Sequence, residues 1–112
     1  MSTRSTIAVE NTDGTFLAVY CHFDGYPTGV GAQLKSRFDT EAKVRELIAG
    51  GDLRAIPDQM EPEYYSHNTS AVHTCDALRT AQNENASDYL YIFRLETQAW
   101  EAYDYDGQPV EL

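Results

Sequence analysis

The side chains best suited to chemistry crowd into Tyr20-Cys21-His22-Phe23-Asp24-Gly25-Tyr26-Pro27, where a thiol adjoins an imidazole. A Cys–His nucleophile needs both groups on one face, and neighbouring residues of a strand point to opposite faces, so Cys21 and His22 cannot pair there. Cys21 is therefore expected in the core, which leaves His22 and Asp24 as the groups able to act at a sheet edge. An enzyme working through His22 or Cys75 is a minor alternative, and no catalytic residue is assigned. A metal centre would have to join Cys21 or His22 to His73, Cys75 and His67. The paired Cys-x-x-Cys or His-x3-His spacings of structural zinc sites are absent, so neither a metal nor a cofactor is expected. Gly29-Val30-Gly31 at a helix start can present N–H groups to a phosphate, with Lys35 and Arg37 nearby. Neither a dinucleotide fingerprint nor a Gly-Lys-Ser/Thr follows it. A small molecule such as a nucleotide signal, held by Tyr20, His22, Asp24, Tyr26, Gly29 and Gly31, is the second functional expectation. Its rival is structural: small residues that let this helix approach a sheet.

The strongest functional hint is charge. Residues 1–54 carry six Lys+Arg against seven Asp+Glu, whereas residues 55–112 carry two, Arg79 and Arg94, against eleven. Glu96, Glu101, Asp104 and Asp106 lie among Trp100, Tyr103 and Tyr105, and Glu61, Glu63, Tyr64 and Tyr65 form a second group. Aromatic rings bury area with little entropy loss and carboxylates attract Lys and Arg, so both groups are expected to bind a protein with a basic surface. The alternative is a solvated charged face whose aromatics are core residues, with net charge serving solubility. For Tyr89, Tyr91 and Phe93 that alternative is preferred, because they sit in a core strand.

A formal charge of −10 and a pI of about 4.5 argue against direct nucleic-acid binding, which depends on cations neutralising phosphates. An anionic membrane surface is disfavoured for the same reason, and no run approaches the apolar length of a membrane span. A cytoplasmic location is expected, because the first residues hold no apolar signal segment. Two cysteines are too few for a disulfide framework. Asn68-Thr69-Ser70 and Asn85-Ala86-Ser87 match the glycosylation sequon, a coincidence in that setting.

The elements that must position these groups fit one α+β domain spanning residues 1–112. Ser5–Asn11 alternates around Ile7 and Val9, and Thr15–Phe23 around Leu17, Val19 and Cys21, with Asp13-Gly14 between them: a β-hairpin. Val30, Leu34 and Phe38 make one face of a helix over Gly29–Phe38. Val44, Leu47 and Ile48 make the stripe of a second, capped by Asp39 or Thr40 and ended by Gly50-Gly51. Residues 52–87 show no clear period. Asp88–Leu95 is apolar on nearly both faces, which predicts an inner strand covered on both sides, with Ala99–Tyr105 as its hairpin partner. The expected architecture is an antiparallel sheet of two hairpins packed on two short helices. A homodimer is compatible with this pattern.

The runs Ser5–Glu10, Asp13-Gly14-Thr15, Val19–Pro27 and Gly29-Val30-Gly31 resemble a family of small proteins encoded by tailed phages and prophages. The likeness extends through Gly51-Asp52-Leu53, Tyr89–Phe93 and Trp100, whereas residues 55–87 depart from it. The family carries no established activity, so the resemblance implies a setting and no catalytic residues. Small acidic phage proteins without enzymatic motifs are often inhibitors of host defence, and several anti-CRISPR proteins use carboxylate-rich surfaces to occupy basic channels. By that analogy the chain is expected to be a non-enzymatic inhibitor of a bacterial defence system, such as a CRISPR effector or another nucleoprotein complex.

Overall fold

The computed structural model describes residues 3–65, 71–84 and 87–112. Strands β1 (Ser5–Glu10) and β2 (Phe16–Cys21) form the predicted hairpin, with Ile7 opposite Val19 and Val9 opposite Leu17. Asp13 closes it, its Oδ1 accepting from the Thr15 amide at 2.9 Å and the Thr15 hydroxyl at 2.6 Å, while Gly14 supplies a φ of +87°. The expected first helix begins instead as a π-helical turn over Pro27–Gly31 and continues as α1 (Ala32–Arg37). In α2 (Glu41–Ala49) the Thr40 hydroxyl caps the Lys43 amide, and Val44, Leu47 and Ile48 are buried. Each such buried side chain contributes roughly 1.5–3 kcal/mol, which holds a helix of nine residues that would be marginal alone.

Three short strands follow: β3 (Leu53–Ala55), β4 (Glu63–Tyr64) and β5 (Ala71–His73). A third helix, α3 (Cys75–Glu84), precedes the second predicted hairpin, β6 (Tyr89–Arg94) with β7 (Ala99–Asp104), and β8 (Pro109–Val110) completes the chain. Among the described residues the sheet runs β4-β3-β2-β1-β6-β7-β8, with β5 also paired to β2.

The α+β class holds, but the sheet is mixed where an antiparallel one was expected. β1 pairs parallel to β6, and β2 parallel to β3. Parallel neighbours need long crossovers, and the helices supply them. The π-helical turn, α1 and α2 carry the chain from β2 to β3 over one face, and α3 carries it from β5 to β6 over the other. Among the described residues the helix count rises from the expected two to three for the same reason. One core, under α1 and α2, gathers Ile7, Val9, Val19, Cys21, Leu34, Leu47, Tyr91 and Phe93; the other, under α3, gathers Ala8, Phe16, Ala18, Leu78, Leu90 and Ile92. β6 is thus an inner strand buried on both faces, as its sequence predicted.

Candidate functional site

The terminal hairpin places its acids and rings by the two-residue period of a strand. Trp100 lies on the α1/α2 face, its ring centre 5.4 Å from that of Phe93 in an edge-to-face arrangement and its Nε1 donating to the Phe38 carbonyl at 2.8 Å. Glu101 and Tyr103 lie on the α3 face. There Arg94 donates to Glu101 at 2.9 Å and meets Glu10 at 3.3 Å, and the Tyr103 hydroxyl donates to Glu101 at 2.7 Å. Burial works to raise the Glu101 carboxyl, but the Tyr103 hydroxyl and the Arg94 guanidinium outweigh it and hold that group below the ordinary carboxylate range. Arg94 also lies 5.4 Å from the Phe16 ring centre, so this network ties β1, β2, β6 and β7 together.

Asp104 has a local role too. Its Oδ1 accepts from the amides of Asp106 at 3.0 Å and Gln108 at 2.9 Å, shaping the turn into β8. Tyr105, 50% exposed, and Asp106 project from that turn, whereas Glu96 sits in the turn at the far end of β7. Six strand residues separate the ends by roughly 17–20 Å. The residues expected to form one patch therefore divide between two faces and two ends of the strand.

Glu61 and Tyr64 lie at the opposite edge of the sheet. They line a cleft of about 350 Å³ with Phe38, Lys43, Glu46, Leu47, Gly50 and Pro62. The Tyr64 hydroxyl donates to the Leu47 carbonyl at 2.6 Å, and burial first, then the charges of Glu46 and Glu61, push its pKa up. Glu46 was not singled out from sequence. Its signal was there: a carboxylate in the last turn of α2, where no basic residue balances the negative end of the helix.

The Tyr20–Gly31 segment also divides. The Tyr20 hydroxyl and His22 Nδ1 lie 2.6 Å apart, and His22 stands edge-on to Phe23 with ring centres at 4.5 Å. Burial is the main cause raising the Tyr20 phenol, so it is not poised to ionise. Beyond the strand, Tyr26 donates to Asp24 at 3.4 Å; both line a cleft of about 380 Å³ with Gly29, Gln33, Ile56 and Asp58. The helix-start amides are already taken: Val30 donates to the Asp24 carbonyl at 2.8 Å, and Gly29 and Gly31 donate to that of Tyr26. A Cβ on Gly31 would lie 2.7 Å from Leu112 and 3.2 Å from Tyr91, and one on Gly29 would strike the Asp24 carbonyl. Both glycines serve close packing, the structural alternative raised from sequence. No Lys or Arg is among the described lining residues of this cleft, so a phosphate there would meet Asp24 and Asp58 instead of cations. Lys35 is turned to the Leu112 carbonyl, and Arg37 to the carbonyls of Pro57 and Met60.

Cys21 is fully buried, and burial pushes its thiol up to about 12. His73 pairs with the start of β2, opposite Phe16, while His22 follows the end of that strand, so the two cannot share a metal. Among the described residues no three His, Cys, Asp or Glu side chains gather as a metal-holding group; His67 and the Cys75 side chain lie outside the described residues. No helix among the described residues is long and apolar enough to cross a membrane. No protein-family model, curated protein or solved structure matches this chain.

Proposed function

We propose that this chain is a non-enzymatic binding protein that docks on the basic surface of a nucleic-acid-handling protein, as a phage-encoded inhibitor of a bacterial defence complex would. One observation carries the reading. Among the described residues Glu101 is the only carboxylate of residues 55–112 held in an ion pair, while the exposed Glu61, Glu63, Asp76, Glu96, Asp106 and Glu111 face solvent without a cation. Their mutual repulsion disfavours the compact state, and a Lys/Arg-lined channel relieves it on contact and speeds encounter. A second copy presenting the same acids would add repulsion, so this charge favours a foreign partner over a homodimer. The contacts fall to Tyr105 and Asp106 at the β7–β8 turn and to Glu61 and Tyr64 at the other edge. Trp100, Glu101, Tyr103 and Asp104 hold the hairpin in shape.

The test uses the intact protein as bait in a bacterial lysate, followed by affinity measurement on the captured partner. Binding should weaken steeply with salt, because screening removes surface charge attraction, and should be competed by DNA or RNA. Affinity unchanged from low to high salt, or unaffected by joint Glu61→Gln and Asp106→Asn substitution, would sink the reading.

A further inference from the structure

The cleft at the end of α2 has an uncompensated charge arrangement. Its floor is apolar, made by Phe38, Leu47 and Pro62, with the Tyr64 ring as one wall. Two carboxylates, Glu46 and Glu61, stand over it, and neither has a hydrogen-bond or ion-pair partner among the described residues. Lys43, the nearest cation on the rim, is turned to Asp39 at 3.2 Å. Glu46 also occupies the last turn of α2, where the aligned peptide dipoles already make the surroundings negative. The wall is built closely: a Cβ on Gly50 would run into the Tyr64 ring, so only glycine there lets that ring lie against the helix end with its hydroxyl on the Leu47 carbonyl.

A flat aromatic wall, an apolar floor and two carboxylates whose charges both reach the Tyr64 phenol match a planar cation on an alkyl stem. An arginine side chain stacks its guanidinium on the ring, lays its methylenes along Phe38 and Leu47, and donates from its fork to both acids. Lysine, a compact and strongly hydrated charge, has no planar face to stack on the ring and costs more to desolvate. The volume of about 350 Å³ is ample for one such side chain and small for a folded element.

We infer that the Phe38–Glu46–Glu61–Tyr64 cleft is a receptor for an arginine side chain presented by the protein partner. The inference deepens the proposed docking on a basic protein surface and rests on it for the identity of the occupant, though not for the chemistry of the cleft.

Nuclear magnetic resonance titration of the isotope-labelled full chain with N-acetyl-arginine amide tests it directly. Saturable shifts confined to the amides around Glu46, Gly50, Glu61 and Tyr64 are expected. The citrulline analogue should leave those amides unmoved, and the lysine analogue should bind several-fold more weakly. Joint Glu46→Gln and Glu61→Gln substitution should weaken the arginine site about tenfold, the effect of two part-exposed charge pairs, with unchanged thermal stability showing that the fold is kept. Shifts that are absent, that centre on the 96–106 hairpin, or that are equal for lysine and arginine would overturn the assignment. A partner captured by salt-sensitive binding that is indifferent to the double substitution would leave the acidic docking reading standing and remove the cleft from it. Arginine binding here with no salt-sensitive partner would do the reverse.

Discussion

Replacing Tyr91 with Phe isolates one buried hydrogen bond on which the geometry of the helix start depends. Tyr91 is fully buried in β6, and its hydroxyl donates to the Gly25 carbonyl at 2.6 Å across 66 residues of chain. Burial drives its phenol pKa far up, as expected of a hydroxyl enclosed by core. The substitution keeps the ring and its stacking on Tyr89, with centres 6.4 Å apart, so little packing changes. It does leave the buried Gly25 carbonyl without its donor. An orphaned buried acceptor costs about 1–3 kcal/mol, and relief from desolvating the phenol offsets part of this, so a net loss of about 1.5–2 kcal/mol is expected. For a domain of this size that corresponds to a Tm fall of roughly 6–10 °C. Urea unfolding followed by Trp100 fluorescence should show a lower midpoint at unchanged slope. Tyr105→Phe, at a half-exposed phenol, should stay within about 0.5 kcal/mol of the parent. A Tyr91→Phe loss equally small would mean that water reaches the Gly25 carbonyl and that the link between β6 and the helix start is not a buried one.

Three further outcomes follow from the site. The Glu101 carboxyl is depressed in the folded chain, so its stabilising contribution is fully present above the ordinary unfolded value near 4.5 and is lost as pH falls through the lower folded value. Glu101→Gln should therefore flatten the loss of stability below pH 4.5 in acid titrations of the urea midpoint, and an unchanged acid slope would refute the linkage. The Cys21 thiol, enclosed and raised to about 12, should react with a disulfide reagent at neutral pH only as fast as the chain unfolds, measured in a Cys75→Ser background; rapid labelling would contradict its burial. Asp104→Ala should cost about 1–2 kcal/mol by removing the acceptor for two turn amides, while Asp104→Asn, which keeps an oxygen there, should be nearly neutral. Equal effects of the two would show that Asp104 acts through charge.

What was legible from sequence follows from how local its cause is. Both hairpins could be read because Asp13-Gly14 and the polar run Glu96-Thr97-Gln98 mark turns between strand-like stretches; Gly14 and Gln98 do take positive φ. The double burial of β6 was equally local, written in its unbroken apolar run. Parallel pairing of β1 with β6 was not legible, because it depends on which edge a strand reaches after a crossover. The crossover helix α3 itself was hard to see: Leu78 and Ala81 are its buried apolar residues, and the fully buried Gln82 breaks the apolar stripe. The division of Trp100 from Glu101 follows from strand alternation that grouping both in one patch overlooked, and the ion pair of Glu101 with Arg94 required the register that sets Ile92 opposite Glu101.

The charge asymmetry that is contiguous in sequence is not contiguous in space, and this changes how the acidic surface can be used. The strand order β4-β3-β2-β1-β6-β7-β8 places second-half strands at both edges and the nearly neutral first half between them. Five to six strand spacings of about 4.8 Å put the Glu61–Tyr64 cleft and the Tyr105–Asp106 turn roughly 24–29 Å apart before sheet twist, approaching the span of the whole molecule at 32 × 30 × 28 Å. A Debye length of about 8 Å at physiological salt separates the two electrostatically. They therefore act as independent contacts, and Glu61→Gln and Asp106→Asn should change partner affinity additively, within about 0.5 kcal/mol. Strong coupling between them would require a partner that shifts as a unit on both edges. Loss on Glu61→Gln alone would assign recognition to the cleft and leave the hairpin tip a solvated turn.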